Sequence, residues 1–487
     1  MADSAEFDLN KRSASLAARY DPDQFARQAT AVTGLLHEYL VRTASRQGPV
    51  WPSAGPAEVL ERWPDPESGP AETIDRLLAD VLAGSTHQHH PGFVGQQLSV
   101  PPPLVGPVSM FVAMLNNSAA IFEGAPVAIA LERRVISWMA RKVGFSESAA
   151  GIITSGGSLG ALTALLAMRQ AKMKSDAWEG GLWGVQPGAV LIGREAHYCN
   201  RRACAILGFG ERFMLAVETN EHLAMDAASL KAAYHHACSM GACPLAVVAN
   251  AGSTATGTYD DLEAIATFCE QHDLWFHVDA AHGGSALLSP RYRTLLRGID
   301  RADSIVWDAH KMMMMPSLCT AVLFRNRTYL DHVFRQQASY LLSGVAASWH
   351  EPAARNFETT KPAMVLPLYV ALRTLGVAFF GEYIDYVYDL ARAFADLVQS
   401  RPDFELLVRP QSNIVCFRCR AVPEKSDSLQ LRLRETVNRR GDYFIMRTVV
   451  RGATWLRIVI MNPATRLADL RALLDQLAFA RSHADLK

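Results

Sequence analysis

The stretch that most constrains the fold runs over residues 277–311. Leu274, Trp275, Phe276, His277 and Val278 form an apolar run that ends on Asp279. Ser304, Ile305, Val306 and Trp307 form a second, which ends just before Asp308, Ala309, His310 and Lys311. Both runs are short, aromatic or β-branched, and bounded by turn residues. They read as buried strands rather than helices. In an open α/β sheet the ligand crevice lies at the carboxyl ends of the strands. The sequence therefore brings a carboxylate, Asp279, and an amine, Lys311, to one edge.

That pair could be a buried salt bridge, since structural ion pairs are common. It is also what pyridoxal phosphate requires: an amine to carry it and an acid to keep its pyridine nitrogen protonated. DAAHGG followed by DAHKMMMMPSLCTAVLF resembles the active-site signature of the group II pyridoxal-phosphate decarboxylases. These act on glutamate, cysteine sulfinate, aspartate, diaminobutyrate and aromatic amino acids. The resemblance covers about residues 70–463. It implies the fold-type I, aspartate aminotransferase-like α/β architecture: a mostly parallel central sheet with helices on both faces and a small α+β C-terminal domain. It also implies a homodimer with the active site at the interface.

A chain of 487 residues is too long for one ordinary core. We expect an N-terminal helical and wrapping segment over 1–105, which by the resemblance is swapped across a dimer partner, a cofactor-binding domain over 106–375 and a small domain over 376–487. Formal net charge is zero, which gives no basis for a nucleic-acid partner. The first residues lack an apolar signal core, and the apolar stretch 104–115 is too short to span a bilayer. A cytoplasmic enzyme with no membrane partner is the expectation. Cys416 and Cys419 form a lone CxxC in a strand-like run, which reads as core packing, as do the other six cysteines. His87, His89 and His90 cluster without a carboxylate or cysteine at ligand spacing, so no metal is expected.

Residues 1–47 read as a polar tail and then a helix, and 48–70 as an extended segment rich in Pro and Gly. His90, Pro91, Phe93 and Gln96 resemble the family's HPxF-x-x-Q segment, which makes Phe93 and Gln96 candidate substrate contacts. Glutamate decarboxylases carry Arg and Asn where this chain has Gly92 and Gly95, a departure expected to open the pocket. Strands and helices alternate over 106–375. Within them SGGS at 155–158 opens a helix, either as a plain turn or as a phosphate site at a helix amino end. By resemblance Gly157 and Ser158 face the cofactor phosphate.

His197 is either a helix cap or, by resemblance, the imidazole stacked on the pyridine ring. By resemblance Thr254, in STATG, matches the residue supporting the ring's lower face, and the signature implies that Ala281 and His310 flank the cofactor. Met312 to Met315 read as packing beneath the lysine. The patternless segment 336–361 holds Tyr340, which by resemblance protonates the α-carbon. Arg457 alternates into an apolar strand and must be paired, either in a structural salt bridge or with a substrate carboxylate.

The resemblance implies decarboxylation of an L-amino acid to amine and CO2, with Lys311, Tyr340 and His197 catalytic. Gln96 and Arg457 point to an acidic substrate. A diaminobutyrate-type decarboxylase, an aminotransferase or an oxidative deaminase on the same fold are the alternatives.

Overall fold

The computed structural model describes residues 2–69, 72–331, 333–334 and 349–484. Its centre is a seven-stranded sheet. The strands are β1 (Ala150–Thr154), β2 (Gly188–Gly193), β3 (Met214–Val217), β4 (Cys243–Asn250), β5 (Trp275–Asp279), β6 (Ser304–Asp308) and β7 (Thr320–Phe324). Their spatial order is β1-β7-β6-β5-β4-β2-β3. The pairs from β6 across to β3 are parallel, and β7 alone runs against its neighbours β6 and β1. The carboxyl ends of β1, β2, β4, β5 and β6 therefore share one edge, as the sequence pattern requires.

The strands are apolar throughout because both faces are covered. Ile153, Leu191, Val247 and Phe276 enter one core cluster, while Ile152, Val190, Val248 and Trp275 enter the other. The period-2 alternation splits each strand between them. The helices Pro126–Val143, Gly157–Lys172 and Leu262–Gln271 pack against these strands.

A second, antiparallel sheet has the order β10-β11-β9-β8, formed by β8 (Phe404–Leu406), β9 (Ile414–Cys419), β10 (Met446–Val450) and β11 (Ala453–Val459). The helix Pro423–Arg440 beside it is not apparent from the sequence. Its core contact is the narrow stripe Leu429, Leu433 and Val437 at four-residue spacing, within an otherwise polar and charged segment. The helix Leu467–Ala484 packs against the helix Pro423–Arg440 and β9.

The amino-terminal region differs from expectation. Residues read as a polar tail form the helix Ala2–Ala17, followed by Pro22–Ala44, in which Thr43 is the buried residue. The segment after it docks on the small sheet of its own chain. Val50 N–H donates to the Gly441 carbonyl at 2.7 Å, Val459 N–H donates to the Val94 carbonyl at 2.7 Å, and Arg46 pairs with Asp469 at 2.9 Å. Among the described residues no single helix is long and apolar enough to cross a membrane.

Candidate active site

A cavity of about 330 Å³ opens at the carboxyl edge of the central sheet. Asp279 ends β5 inside it. One carboxylate oxygen accepts from Asn200 Nδ2 at 2.9 Å and the other from the Ala281 backbone N–H at 3.2 Å. Lys311 Nζ lies 3.1 Å from Asp308 Oδ2. Burial opposes the lysine's charge, but the carboxylates of Asp308 and Asp279 outweigh it and hold its pKa above the ordinary value. Met312 to Met315 are all buried beneath this corner.

The strand-to-helix turn after β1 closes the opposite wall. Gly156 caps the helix Gly157–Lys172 with φ +111°, a backbone setting that favours glycine. Ser155, Gly156, Gly157 and Ser158 all line the cavity. The free backbone N–H groups and the positive dipole end of this helix make an anion cradle. Arg202 Nη2 donates to Ser158 Oγ at 2.9 Å, adding a cation beside the cradle.

His197 lines the cavity and also caps the helix Tyr198–Ile206, where its Nδ1 accepts the Cys199 N–H at 3.3 Å. The helix cap is present, and the same side chain faces the cavity. Burial lowers its pKa, although Asp279 works in the other direction. Cys199 also lines the cavity, with its thiol pushed up to about 12 by burial.

An adjoining cavity of about 480 Å³ shares His197 and Thr254 with the first. Gln96, Glu195, Arg447 and Arg457 also line it. Arg457 is buried, and its guanidinium donates to three backbone carbonyls: Ala255 at 3.1 Å, Gly95 at 3.2 Å and Thr254 at 2.7 Å. No carboxylate of the described residues pairs with it. Among the described residues backbone carbonyls, not a salt bridge, hold all three of its nitrogens.

Comparison with known proteins agrees with this geometry. Residues 59–420 match the family described as "Pyridoxal-dependent decarboxylase conserved domain". The chain belongs to this family. It is a pyridoxal-phosphate-dependent amino acid decarboxylase. Similar proteins include human cysteine sulfinic acid decarboxylase, 32% identical over 83% of this chain and 85% of the relative. The aromatic-L-amino-acid decarboxylase of Bacillus atrophaeus is 30% identical over 85% and 86%. The crystal structure of mouse CSAD superposes with a TM-score of 0.88, covering 94% of this chain and 99% of that one, at 27% identity.

The decarboxylase's residues fit the cofactor. The cavity combines an amine, a carboxylate fixed from two sides, a flat imidazole and an anion cradle at a helix amino end. Ala281, His310 and Thr254 also line it. Asn200 and Asp308 carry more of the site than the sequence indicated. Asn200 sits one helical turn past His197, and only the fold brings it to Asp279. Asp308 is 1% exposed and lies 3.1 Å from Lys311.

Three expectations are corrected. Phe93 lines neither cavity; it is 1% exposed and stacks on Phe444 at 5.5 Å. Gly92 lines neither cavity, and Gly95, which lines the second, would direct a side chain into the protein rather than into that cavity. A Cβ on Gly92 would lie 2.1 Å from the Asp442 carbonyl oxygen, and one on Gly95 would lie 2.7 Å from the Phe444 ring, so the chain itself fills that space. Cys238 is exposed rather than core, whereas Cys416 and Cys419 are buried. Tyr340 lies outside the described residues. Among the described residues no cluster could hold a metal ion.

Proposed function

We propose that this decarboxylase acts on an acidic L-amino acid such as aspartate or cysteine sulfinate, releasing CO2 and the matching amine. The observation that carries this reading is the cationic lining of the second cavity. Arg457 has no carboxylate partner among the described residues, and Arg447 opens onto the same space. Two guanidinium groups suit a substrate with two acidic groups.

Lys311 Nζ is the amine that would carry the cofactor, and Asp279, braced by Asn200, would hold the ring nitrogen protonated. Gly157 and Ser158 would take the phosphate, with His197 packed on the ring and Thr254, Ala281 and His310 around it. When bound, the pyridoxal group supplies an electron sink for the electrons of the breaking carboxylate bond. Arg457 would orient the substrate, because the bond aligned with that sink is the one that breaks. Gln96 supplies a polar contact. Phe93 acts by supporting the segment that holds Gln96. Tyr340, by family resemblance, returns the proton to carbon, with His197 as the second candidate for that role.

A second reading, diaminobutyrate, rests on Glu195. This carboxylate lines the same cavity with no hydrogen-bond or ion-pair partner among the described residues, and burial raises its pKa. It could receive a side-chain ammonium. A diaminobutyrate decarboxylase of Acinetobacter baumannii is 29% identical over 84% of this chain and 83% of that relative. CO2 release from a panel of amino acids, with products identified by mass, separates the two. Turnover of aspartate or cysteine sulfinate supports the acidic reading; turnover confined to diaminobutyrate or to aromatic amino acids sinks it.

The same proposal includes the three-part division 1–105, 106–375 and 376–487, and a homodimer with the site at its interface. The exposed side chains Met110, Phe111, Met114 and Leu115 of the apolar helix Val105–Leu115 support the dimer. Light scattering after size exclusion tests it. Eight unpaired thiols fit a reducing, cytoplasmic compartment.

A further inference from the structure

Asp308 ends β6, and each of its polar atoms is engaged. Its backbone N–H donates to the Ala281 carbonyl at 3.2 Å, and Oδ1 accepts from Thr320 Oγ1 at 2.5 Å. Oδ2 lies 3.1 Å from Lys311 Nζ and 3.5 Å from His310 Nε2. The register of the sheet fixes this arrangement, because Asp308 stands opposite Thr320 across the antiparallel pair of β6 and β7. Gly157 is pressed against the carboxylate from the other side: a Cβ there would lie 3.2 Å from both oxygens. The amino end of the phosphate-cradle helix thus abuts a buried anion, which its dipole favours.

A carboxylate this buried requires a compensating cation. Lys311 is the cation within reach. We propose that Asp308 is a positioning residue for Lys311, a second carboxylate beside Asp279 that clamps the ammonium at the cavity wall and sets the pH at which this lysine becomes a nucleophile.

The titratable groups around Lys311 are Asp308 and His310 from the β6 end, Asp279 and His282 from the β5 end, and His197 and Cys199 at the helix Tyr198–Ile206. His282 is neutral and buried, His197 has a lowered pKa, and the Cys199 thiol is protonated at neutral pH. Asp308 and Asp279 are therefore the groups that favour the charged amine, against burial. An amide at position 308 can still accept from Thr320 but supplies no charge. Burial would then be opposed by Asp279 alone, and Lys311 would lose its proton at lower pH.

The test uses the apoprotein and does not depend on turnover. Lys311 is acylated with acetic anhydride across a pH series, and peptide mass spectrometry follows it against surface lysines of the same chain. Asp308→Asn should make Lys311 react at least about tenfold faster at pH 8, one pKa unit being a factor of ten in free amine. Asp308→Glu, which keeps the charge, should retain the slow rate. Equal rates in wild type and Asp308→Asn overturn the proposal, as does an equally fast Asp308→Glu. If circular dichroism shows that Asp308→Asn does not fold, the wild-type profile decides. A Lys311 midpoint above those of the surface lysines supports the clamp, and one at or below them refutes it.

Discussion

Asn200 Nδ2 donates to Asp279 Oδ2 at 2.9 Å, joining a helix that follows β2 to the tip of β5. The hydrogen bond holds one oxygen of the carboxylate while the Ala281 N–H holds the other. Hydrogen bonds to charged groups contribute about 1.5–3 kcal/mol. Asn200→Ala should therefore lower kcat/KM by at least about tenfold and weaken cofactor binding. Asp279→Ala should abolish most activity with the fold intact. Near-wild-type turnover in folded Asp279→Ala would remove Asp279 from the site.

Arg457 offers a separable test. Arg457→Lys keeps a charge but loses the planar fork that reaches three carbonyls. KM for an acidic substrate should rise at least about tenfold, with a smaller change in kcat. Arg457→Gln should raise it further. Steady-state kinetics read both, and an unchanged KM in Arg457→Gln would exclude this residue from substrate binding.

The glycines of the HPxF segment predict a failed transplant. Gly92→Arg and Gly95→Asn restore residues typical of glutamate decarboxylases, yet each new side chain meets Asp442 or Phe444. Overpacking of this kind costs about 1–3 kcal/mol or more. Both variants should melt earlier than wild type without gaining glutamate turnover. A stable, glutamate-active double variant would contradict the packing described here.

Lys361 is 1% exposed and pairs with Glu132 at 2.9 Å while donating to the Ile153 carbonyl at 2.7 Å. Glu132→Gln would leave a buried ammonium without its counter-charge, a loss of about 3–5 kcal/mol. Replacing both partners, as Glu132→Leu with Lys361→Met, should recover much of it. Urea unfolding of the single and double variants measures the difference; equal losses would show that the charge pairing is immaterial.

Acid stability follows from buried histidines. Burial pushes His277 down to about 4 and His282 down to about 3, from an ordinary 6.5. As pH falls below about 6.5 the unfolded chain binds protons that the folded chain refuses, so stability is lost toward pH 4. Asp260 acts in the opposite sense, because burial pushes it up to about 6 and the folded state takes its proton first. Two histidines against one aspartate leave a net loss on the order of 2 kcal/mol between pH 7 and 5. Denaturant midpoints at the two pH values should fall accordingly, and a midpoint that rises on acidification contradicts the assignment.

The apolar runs ending at Asp279 and before Lys311 were legible as strands from residue type and length alone. So were the glycine turn before the helix Gly157–Lys172 and the chemical pairing of acid and amine, because each depends on neighbours within a few residues. What the sequence by itself could not decide was which distant groups meet. Asn200 reaches Asp279 across 79 positions, and Arg457 meets carbonyls 202 and 203 positions away. Whether Gly92 and Gly95 leave space depends on Asp442 and Phe444, which local pattern does not place. Sheet register puts Thr320 opposite Asp308, whose other carboxylate oxygen lies 3.1 Å from the lysine. Local propensity and period fix the elements; the contacts between them are set by packing, which only the folded chain carries.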